Sequence, residues 1–538
     1  MIKKIFITSF ITILLFQVEL LHGQTFNQNL QFSHQFYQKF NQEVYHPSTK
    51  MHSSIKPFLA DNTLIKNAVD SFYNIGFDTM KRSWAYRKLF QEHLIQVKKN
   101  EFTFFADFLP DLVLGYDEQS AKNIWLNTRG YQIGVTVGSK FSFYTSGYEN
   151  QGIFPAYQEQ FINENRIIPG QVNGKLANDI KDWAYTTALL SYTPNKYLNF
   201  ALGYDKNFIG DGYRSILLSD VAANYSFFRL RASLGNVTYQ TIYAYMLDPG
   251  APRLTSDRRL GDRGKWGAFQ YLDWNVSKRF SLGLFQAITW ADAEPEGKRG
   301  FDFNYVHPFV FLRPIEGANS TSPDKMRLGL NLKYEVLANT AIYGQFMIDE
   351  FTAKEFFARN GYWANKWALQ LGFRGSNLFG VKRLNYLGEF NTARPYTYAH
   401  FDRLSSYTHY NQPLAHPFGA NFREFVGIIN YSLHRFDFNG QLTYAFYGLD
   451  PVNQNFGKNI FLSYNTRTLD YGSKVGNGVP TDFYFAKANV SYLINPKSNL
   501  RLELGGILRT EKNQLINSNT GIFTLGIRSS FRNFYDDF

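Results

Sequence analysis

The feature of this chain that most restricts its fold is a strict two-residue alternation. Between residues 326 and 336 the apolar and aromatic side chains fall on one face, and the polar side chains and a glycine fall on the other. The first face is formed by Met326, Leu328, Leu330, Leu332, Tyr334 and Val336, and the second by Arg327, Gly329, Asn331, Lys333 and Glu335. Residues 384–391, 438–446 and 500–505 divide in the same way. Because successive side chains of a β-strand point to opposite sides of its sheet, this period indicates strands with one apolar face.

Short and long connections alternate between these strands. Short turns are predicted near residue 139 and at 193–197, 235–236, 277–279, 337–339, 377–382, 432–435 and 494–498. Longer segments lie at 115–123, 150–181, 207–227, 248–264, 290–324, 350–365, 393–421, 447–480 and 510–519. These connections join eighteen strands from about Phe102 to Phe531. Short periplasmic turns and long external loops are typical of outer-membrane barrels, and an even strand number returns both ends to the periplasm.

Composition agrees with a barrel and argues against membrane helices. The chain is 18% aromatic, with 36 Tyr and 52 Phe, its mean hydropathy is −0.32, and no apolar run after the first 23 residues reaches 18 residues. A barrel strand needs only one apolar face, and aromatic rings gather at both membrane interfaces. A soluble β-sandwich would also alternate, but the regular change in connection length favours the barrel. We therefore predict an all-β transmembrane barrel of about eighteen antiparallel strands over residues 101–538.

The first 23 residues have the pattern of a secretory signal peptide. Lys3 and Lys4 precede the apolar run Ile5–Val18, which is too short for a spanning helix, and cleavage is expected after Gly23. The chain contains no cysteine, so disulfides do not stabilise it, although an exported protein could form them. The expected location is the outer membrane.

Residues 24–100 lack the strand rhythm and are predicted to form an N-terminal periplasmic segment with one amphipathic helix. Within residues 83–99 the apolar side chains recur at close to the helical period, and they are Trp84, Leu89, Phe90, Leu94 and Ile95. This segment would pack under the barrel mouth as a partial plug or dock another protein. At the other end, the last strand is expected to reach Phe531, and the aromatic residue at position 538 resembles a barrel-insertion signal.

The net charge of +12 suits anionic partners. Outer-membrane lipid, lipopolysaccharide and acidic polysaccharide all fit this charge, whereas export argues against nucleic acid. No zinc-protease, serine-hydrolase, phosphate-loop or dinucleotide motif occurs, so the sequence predicts neither an enzyme nor a cofactor. The carboxylates Asp349, Glu350 and Glu389 are expected to pair with lumenal arginines and lysines.

The stretch 394–422 holds most of the candidate site residues. They are Arg394, Tyr396, Tyr398, His400, Tyr407, His409, Tyr410, His416 and Asn421. Tyrosine offers rigid apolar area and a hydroxyl, so the loop fits stacking on sugars, packing against a protein, or capping of the pore. The histidines are nine and seven residues apart, and few acidic residues lie near them in sequence. This spacing argues against a metal site, so we predict structural roles for the three histidines.

A second candidate loop is "KNFIGDGYRSILLSD", residues 206–220. Gly210 and Gly212 permit a sharp bend, and Asp211, Arg214 and Asp220 are able to pair. No Lys-Ser/Thr pair follows, so the glycines do not make a phosphate-binding loop.

Several of these segments resemble a known family. The segments "KNFIGDGYRSILLSD", "NTRG" (127–130), "YGQFMIDEF" (343–351), "NKWALQLGF" (365–373), "RPYTYAHF" (394–401) and "NQPLAHPFGANF" (411–422) are similar to the RemB group of gliding-motility proteins. That resemblance implies a non-enzymatic accessory barrel of gliding motility or type IX secretion, associated with the SprA translocon. More distantly, "SILLSD" is similar to the capsule-assembly family Wzi, an eighteen-stranded barrel. That likeness implies the alternative function, an outer-membrane lectin that holds capsular polysaccharide or exopolysaccharide at the cell surface.

Overall fold

The chain forms a closed antiparallel barrel of eighteen strands, which confirms the predicted fold class and strand number. The computed structural model describes residues 29–60, 64–78, 80–257, 261–308 and 324–538. The predicted signal peptide lies outside these residues. The barrel strands are β1 (Phe102–Asp117), β2 (Lys122–Val137), β3 (Phe141–Ile153), β4 (Lys181–Asn195), β5 (Leu198–Asp205), β6 (Tyr225–Leu234), β7 (Val237–Asp248), β8 (Arg263–Asn275), β9 (Phe280–Ala291), β10 (Lys325–Leu337), β11 (Thr340–Glu350), β12 (Lys366–Gly375), β13 (Leu384–Ala393), β14 (Phe422–Leu433), β15 (Phe436–Leu449), β16 (Val479–Asn495), β17 (Leu500–Lys512) and β18 (Asn517–Ser529).

Each strand pairs with its neighbours in sequence, and β18 closes the barrel on β1. The closing register runs from Ile522 opposite Asp117 to Ile527 opposite Leu112. Below this seam, the first residues of β1 pair with a short extra strand, Ile95–Lys99. Within the described residues this short strand has no partner on its other edge.

The wall shows why the sequence alternates. On β10, Leu330 and Leu332 are 40% and 42% exposed on the outer surface, whereas Arg327 and Lys333 face the lumen and are 0% and 2% exposed. A closed barrel satisfies every backbone hydrogen bond between its strands and turns its apolar face to lipid. The chain is therefore an outer-membrane barrel with its long loops on the extracellular side.

Residues 29–60 and 64–77 fill the periplasmic half of the lumen, and we call them the plug. Arg229 Nη2 of β6 donates to Asn29 Oδ1 over 2.8 Å, and Arg374 Nη2 of β12 donates to Asn41 Oδ1 over 2.7 Å. On the opposite side, the plug packs its aromatic core against Leu493. The predicted periplasmic segment thus lies mostly inside the barrel.

The described part of the N-terminal segment contains four short α-helices where the sequence predicted one amphipathic helix. In the described residues the α-helices are α1 (His34–Tyr37), α2 (Asn41–Val44), α3 (Lys66–Tyr73), α4 (Trp84–Phe90), α5 (Ala156–Asn165) and α6 (Ala353–Ala358), and the 3-10 turns are Gln38–Phe40, Phe303–Val306, Leu378–Gly380, Arg403–Ser405 and Tyr464–Thr466. The prediction of a helix over 83–99 was wrong beyond Phe90. Residues 95–99 form a strand because pairing with β1 at the barrel seam outweighs their helical spacing.

Two extracellular connections and the C-terminal end fold into the barrel. The first inward loop, residues 206–224, joins β5 to β6, and the second inward loop, residues 394–421, joins β13 to β14. The last strand ends at Ser529 rather than at Phe531, and residues 530–538, the C-terminal tail, turn back into the lumen. Phe531 packs against Phe36 of the plug with ring centroids 5.1 Å apart. The barrel therefore has a packed interior in place of a wide channel.

Three short two-stranded pairs among the described residues complete the interior and the loops. Ile55–Lys56 of the plug pairs with Phe208–Ile209 of the first inward loop. Thr408–His409 pairs with Gln412–Pro413 inside the second inward loop, and Ala293–Glu294 pairs with Gly297–Lys298 outside the wall. The plug and the first inward loop are thus joined by backbone hydrogen bonds as well as by side chains.

Candidate functional site

An ionic junction at Arg214 joins the interior elements. Arg214 Nη2 lies 2.9 Å from Glu424 Oε1 of β14 and 2.7 Å from Asp537 Oδ2 of the C-terminal tail, and all three side chains are out of contact with solvent. The guanidinium also stacks over Tyr213, 4.7 Å from the ring centroid. Buried charges are stable only when they are paired and hydrogen bonded, so this junction fixes the loop and the tail to the wall.

Glu389 of β13 lies beside this junction. Its carboxylate accepts hydrogen bonds from the Tyr343 hydroxyl at 2.8 Å and from the backbone nitrogens of Tyr213 at 2.9 Å and Arg214 at 3.1 Å. The predicted ion pairs of the other lumenal carboxylates are present: Asp349 lies 3.4 Å from Arg327, and Glu350 lies 3.0 Å from Lys366. Glu389, in contrast, is held by hydrogen bonds to the first inward loop.

Asp211, Arg214 and Asp220 do not pair with one another, contrary to the expectation from their spacing. Asp211 Oδ1 accepts from Ser53 Oγ at 2.6 Å and from the Tyr45 hydroxyl at 3.1 Å, both in the plug. Asp220 accepts from the Tyr535 hydroxyl at 2.6 Å and from Asn533 of the tail. The loop turns its charged side chains outward to three different segments because its own apolar residues occupy the centre of the lumen.

The candidate tyrosines of the second inward loop are buried. The hydroxyls of Tyr398 and Tyr407 donate to the carbonyl oxygens of Ile216 at 2.9 Å and Leu217 at 2.6 Å, so they clamp the two inward loops together. The Tyr396 hydroxyl donates to Asn455 O at 2.7 Å. This burial argues against direct contact of these three rings with a surface polymer and favours the pore-capping interpretation.

Three further candidates tie the second inward loop to its surroundings. Arg394 Nη2 donates to the carbonyl oxygens of Tyr362 at 3.2 Å and Ser473 at 3.1 Å. Asn421 Nδ2 donates to Asn477 O at 2.9 Å, and Tyr410 donates its backbone N–H to Leu247 O at 2.8 Å. These contacts order the loop without any ligand.

The three loop histidines share one hydrogen-bonding pattern. The Nδ1 atoms of His400, His409 and His416 accept backbone N–H groups, from Asp402 at 3.3 Å, Leu247 at 3.1 Å and Phe418 at 3.2 Å. His409 Nε2 donates to Asn224 O at 2.9 Å, and His416 Nε2 donates to Glu424 Oε2 at 2.7 Å. Burial lowers the pKa of His409 and of His416 to about 4, so the neutral ring is the stable form in this loop.

A row of aromatic rings on the extracellular face was not singled out from the sequence. The rings belong to Tyr471, Tyr362, Trp363, Tyr464 and Phe401, and we call them the aromatic row. Successive centroids are 5.4, 6.1, 5.0 and 6.1 Å apart. Tyr471 is 53% exposed and Phe401 is 45% exposed, while the other three rings are partly exposed. The row is therefore most open to solvent at its two ends, Tyr471 and Phe401.

The aromatic row is assembled from three different loops. Trp363 N donates to Asp470 O at 3.0 Å and Gly472 N donates to Asn360 O at 2.9 Å, which joins the loop before β12 to the loop before β16. The Arg467 guanidinium stacks over Trp363 at 4.3 Å from its centroid. The sequence shows aromatic residues at 362–363 and 464–471. Because these two segments are far apart in sequence, it does not show that their rings are close in space.

The described residues contain no group of three or more His, Asp or Glu side chains that could hold a metal ion. Among the same residues, no helix is long and apolar enough to cross a membrane.

The closed wall, the apolar outer face and the filled lumen define an outer-membrane β-barrel with an occluded interior. No protein-family model matches the chain, and no curated protein matches it in sequence. Among solved structures it is similar to Wzi of Escherichia coli, an outer-membrane protein involved in group 1 capsule assembly and described as a carbohydrate-binding β-barrel. That match has 12% identity and a TM-score of 0.53, and it covers 95% of this chain and 100% of Wzi.

Two other outer-membrane proteins are more distantly similar. OprD of Pseudomonas aeruginosa matches at 9% identity and a TM-score of 0.42 over 79% of this chain and 94% of OprD. OccAB2 of Acinetobacter baumannii matches at 8% identity and a TM-score of 0.43 over 79% of this chain and 97% of that protein. The likeness to Wzi supports the fold alone. The gliding-motility interpretation rests on the sequence resemblance.

Proposed function

We propose that this barrel is a non-enzymatic outer-membrane lectin that retains acidic polysaccharide at the cell surface through the aromatic row. The row of five rings, with Tyr471 and Phe401 exposed at its ends, is the observation that carries the proposal. Aromatic faces present large, rigid apolar area to the CH groups of a sugar, and tyrosine adds a hydroxyl for hydrogen bonding. The carbohydrate binding described for Wzi, which shares this fold, is consistent with this role.

The charge of the chain suits an acidic polymer. The net charge is +12, while Arg467, which stacks on Trp363 of the aromatic row, is paired with Asp470 at 2.6 Å. A long polymer can contact several such rings at once, so weak contacts at each ring add up to retention. The filled lumen is consistent with a holding role, since the plug, both inward loops and the C-terminal tail occupy the space that a general porin keeps open.

Binding of extracted exopolysaccharide to the purified barrel tests this proposal. The polysaccharide would come from the bacterium that makes the protein and would be used before and after periodate oxidation. We expect Tyr471→Ala combined with Phe401→Ala to reduce binding at least about tenfold, because each stacked ring contributes roughly 1 kcal/mol. Leu515→Ala is the matched control, since Leu515 is 76% exposed in another extracellular loop. Equal binding by the double variant and the control would reject the lectin role.

A second proposal is supported by the periplasmic end of the molecule. We infer that the barrel is an accessory component of gliding motility or type IX protein secretion, associated with the SprA translocon. Exposed apolar side chains gather around α4, including Met80 (62% exposed) and Trp84 (64% exposed). The neighbouring strand Ile95–Lys99 leaves one edge unpaired among the described residues. Exposed apolar surface and a free strand edge are both typical of protein-binding surfaces.

Affinity purification from native membranes separates this second proposal from the first. We expect components of the secretion or motility machinery to co-purify with the wild-type chain and to be lost from Trp84→Asp combined with Leu89→Asp. Tyr471→Ala combined with Phe401→Ala is the control and keeps these partners. A wild-type barrel that brings down no component of either machinery would exclude the accessory role and leave the lectin proposal untouched.

A further inference from the structure

A cavity of about 310 Å³ remains inside the barrel, between the C-terminal tail and the wall. Its floor is formed by plug residues such as His34, and its upper end by extracellular-loop residues such as Phe154 and Gln171. The wall of β15–β18 and residues 530–536 line the sides. This volume lies within the range of small-molecule pockets, about 300–1,000 Å³. The cavity is separate from the aromatic row, whose rings do not line it.

Three of the cations that line this cavity are neutralised by carboxylates. Lys487 pairs with Asp536 of the tail, and Arg501 pairs with Glu503. Arg528 lies 2.9 Å from Asp111 and 2.9 Å from Glu503. These side chains form two separate ionic groups, Lys487 with Asp536 and Arg501 with Glu503, Arg528 and Asp111, and their charges are satisfied within the protein.

Arg532 is the fourth lining cation and differs from the others. Within the described part of the chain it has no carboxylate within ion-pairing distance, and its buried Nη1 atom has no hydrogen-bond partner. Its guanidinium instead stacks on Tyr148 at 3.8 Å and on Tyr185 at 4.8 Å from the ring centroids, and its Nε donates to Ser530 Oγ at 3.3 Å. Stacking holds the guanidinium plane in a fixed orientation and leaves its positive charge without a counter-ion in a partly desolvated chamber.

A neutral hydrogen-bonding group lines the same chamber. Asn489 projects from β16 between Lys487 and the barrel floor and makes no side-chain hydrogen bond among the described residues. An amide supplies both a donor and an acceptor, which matches a hydroxyl group. A guanidinium matches a carboxylate, to which it donates two parallel hydrogen bonds. The aromatic ring of Trp183 adds an apolar surface to the lining.

We propose that this chamber binds a small carboxylate that also carries hydroxyl groups, the class to which acidic monosaccharides belong. Arg532 would hold the carboxylate and Asn489 a hydroxyl. The excess positive charge selects an anion over a neutral sugar, and the size of the chamber limits the ligand to a monosaccharide or a molecule of similar volume. This site is independent of the lectin proposal, because it lies inside the lumen and shares no residue with the aromatic row.

Calorimetric titration of the detergent-solubilised full chain tests the proposal, with glucuronate, glucose and inorganic phosphate as probes. We expect glucuronate to bind and glucose to bind at least about tenfold more weakly, since a charge-assisted pair with Arg532 is lost. Arg532→Gln should weaken glucuronate binding by a similar factor. Asn489→Phe, which keeps every charge and fills the chamber, should also abolish it. Arg467→Gln, which removes a cation from the aromatic row, should leave it unchanged.

The barrel fold of each variant is checked by its heat-dependent migration in gels. Glucuronate binding that survives both Arg532→Gln and Asn489→Phe in folded protein would overturn the proposal. Equal affinity for glucose and glucuronate would overturn it as well, as would tight phosphate binding without glucuronate binding. Loss of glucuronate binding in Arg532→Gln with unchanged polysaccharide retention would support the chamber and show that the two sites are distinct.

Discussion

Arg214 Nη2 donates to Asp537 Oδ2 over 2.7 Å, so the first inward loop holds the C-terminal tail in the interior of the barrel. The same guanidinium binds Glu424 of the wall. Because one cation balances two buried carboxylates, its removal leaves both of them without a counter-charge. This contact is therefore central to the stability of the lumen contents.

We expect Arg214→Gln to lower the free energy of unfolding by about 3–5 kcal/mol, the usual cost of leaving buried charges unpaired. Urea-induced unfolding of the detergent-solubilised barrel measures the change. Arg253→Gln is the control, because Arg253 pairs with Asp262 on an exposed loop and such pairs contribute about 0–1 kcal/mol. Similar losses in the two variants would contradict a special role for the junction.

Conductance in planar bilayers should depend on the C-terminal tail. We expect the wild-type barrel to conduct far less than an open porin, since the tail, the plug and both loops fill its lumen. Asp537→Asn combined with Phe538→Ala removes the ion pair of the tail with Arg214 and the ring contacts of the tail with Tyr157 and Phe161. We expect brief openings of larger conductance in this variant. A wild-type conductance already equal to that of a porin would show that the interior is not closed in the membrane.

Stability should fall with decreasing pH because of the inward-loop histidines. The pKa values of His409 and His416 are about 4 in the folded barrel, below the ordinary value of 6.5, because burial disfavours the charged ring. Between these values the unfolded chain binds protons that the folded chain does not, so the histidine contribution is complete above pH 6.5 and is lost progressively toward pH 4. Unfolding free energies measured from about pH 8 to about pH 4 should show a smaller slope for His416→Gln than for wild type.

Chelator treatment should leave the heat stability of the barrel unchanged. The hydrogen bonds of His400, His409 and His416 join them to backbone groups and to Glu424, and these contacts do not require a metal. The melting temperature with and without chelator is the measurement. Stoichiometric zinc in the purified protein, lost on substitution of one of these histidines, would reverse the interpretation.

A charge on the lipid-facing wall should destabilise the barrel. Leu504 lies on the outer face of β17, and Leu504→Arg should cost about 2–4 kcal/mol if it lies near the bilayer midplane. Leu515→Arg, in the loop between β17 and β18, is the control and should be nearly neutral. Unfolding in lipid vesicles measures both. A neutral effect of Leu504→Arg would place this surface outside the membrane.

The wall of the barrel could be predicted because its physical requirements act on adjacent residues. The alternation at 326–336 correctly separated the lumenal Arg327 and Lys333 from the lipid-facing Leu330 and Leu332. The end of the last strand and the extent of the helix after Ser83 were missed, since both depend on partners far away in sequence. Residues 95–99 became a strand only because β1 offers an unpaired edge at the seam.

The interior and the candidate sites were less predictable for the same reason. Asp211, Arg214 and Asp220 were identified as charged loop residues, but their partners come from the plug, the wall and the tail. Nothing in the local sequence distinguishes a buried Tyr398 from the exposed Tyr471. A long loop folds toward the apolar surface against which it can pack. Here that surface is the lumenal cluster around Ile216 and Leu217.

The contact between the plug and the C-terminal tail restricts the order in which the molecule can assemble. His34 of the plug donates its backbone N–H to Asn533 over 2.8 Å, and its ring lies within 3.0 Å of the Tyr535 hydroxyl. A completed wall admits no segment sideways, and the seated plug occupies the periplasmic entrance. The tail must therefore enter before the plug settles or together with it. We therefore expect sealing of the periplasmic entrance to be a late event in biogenesis, which waits until the plug has met the C-terminal tail.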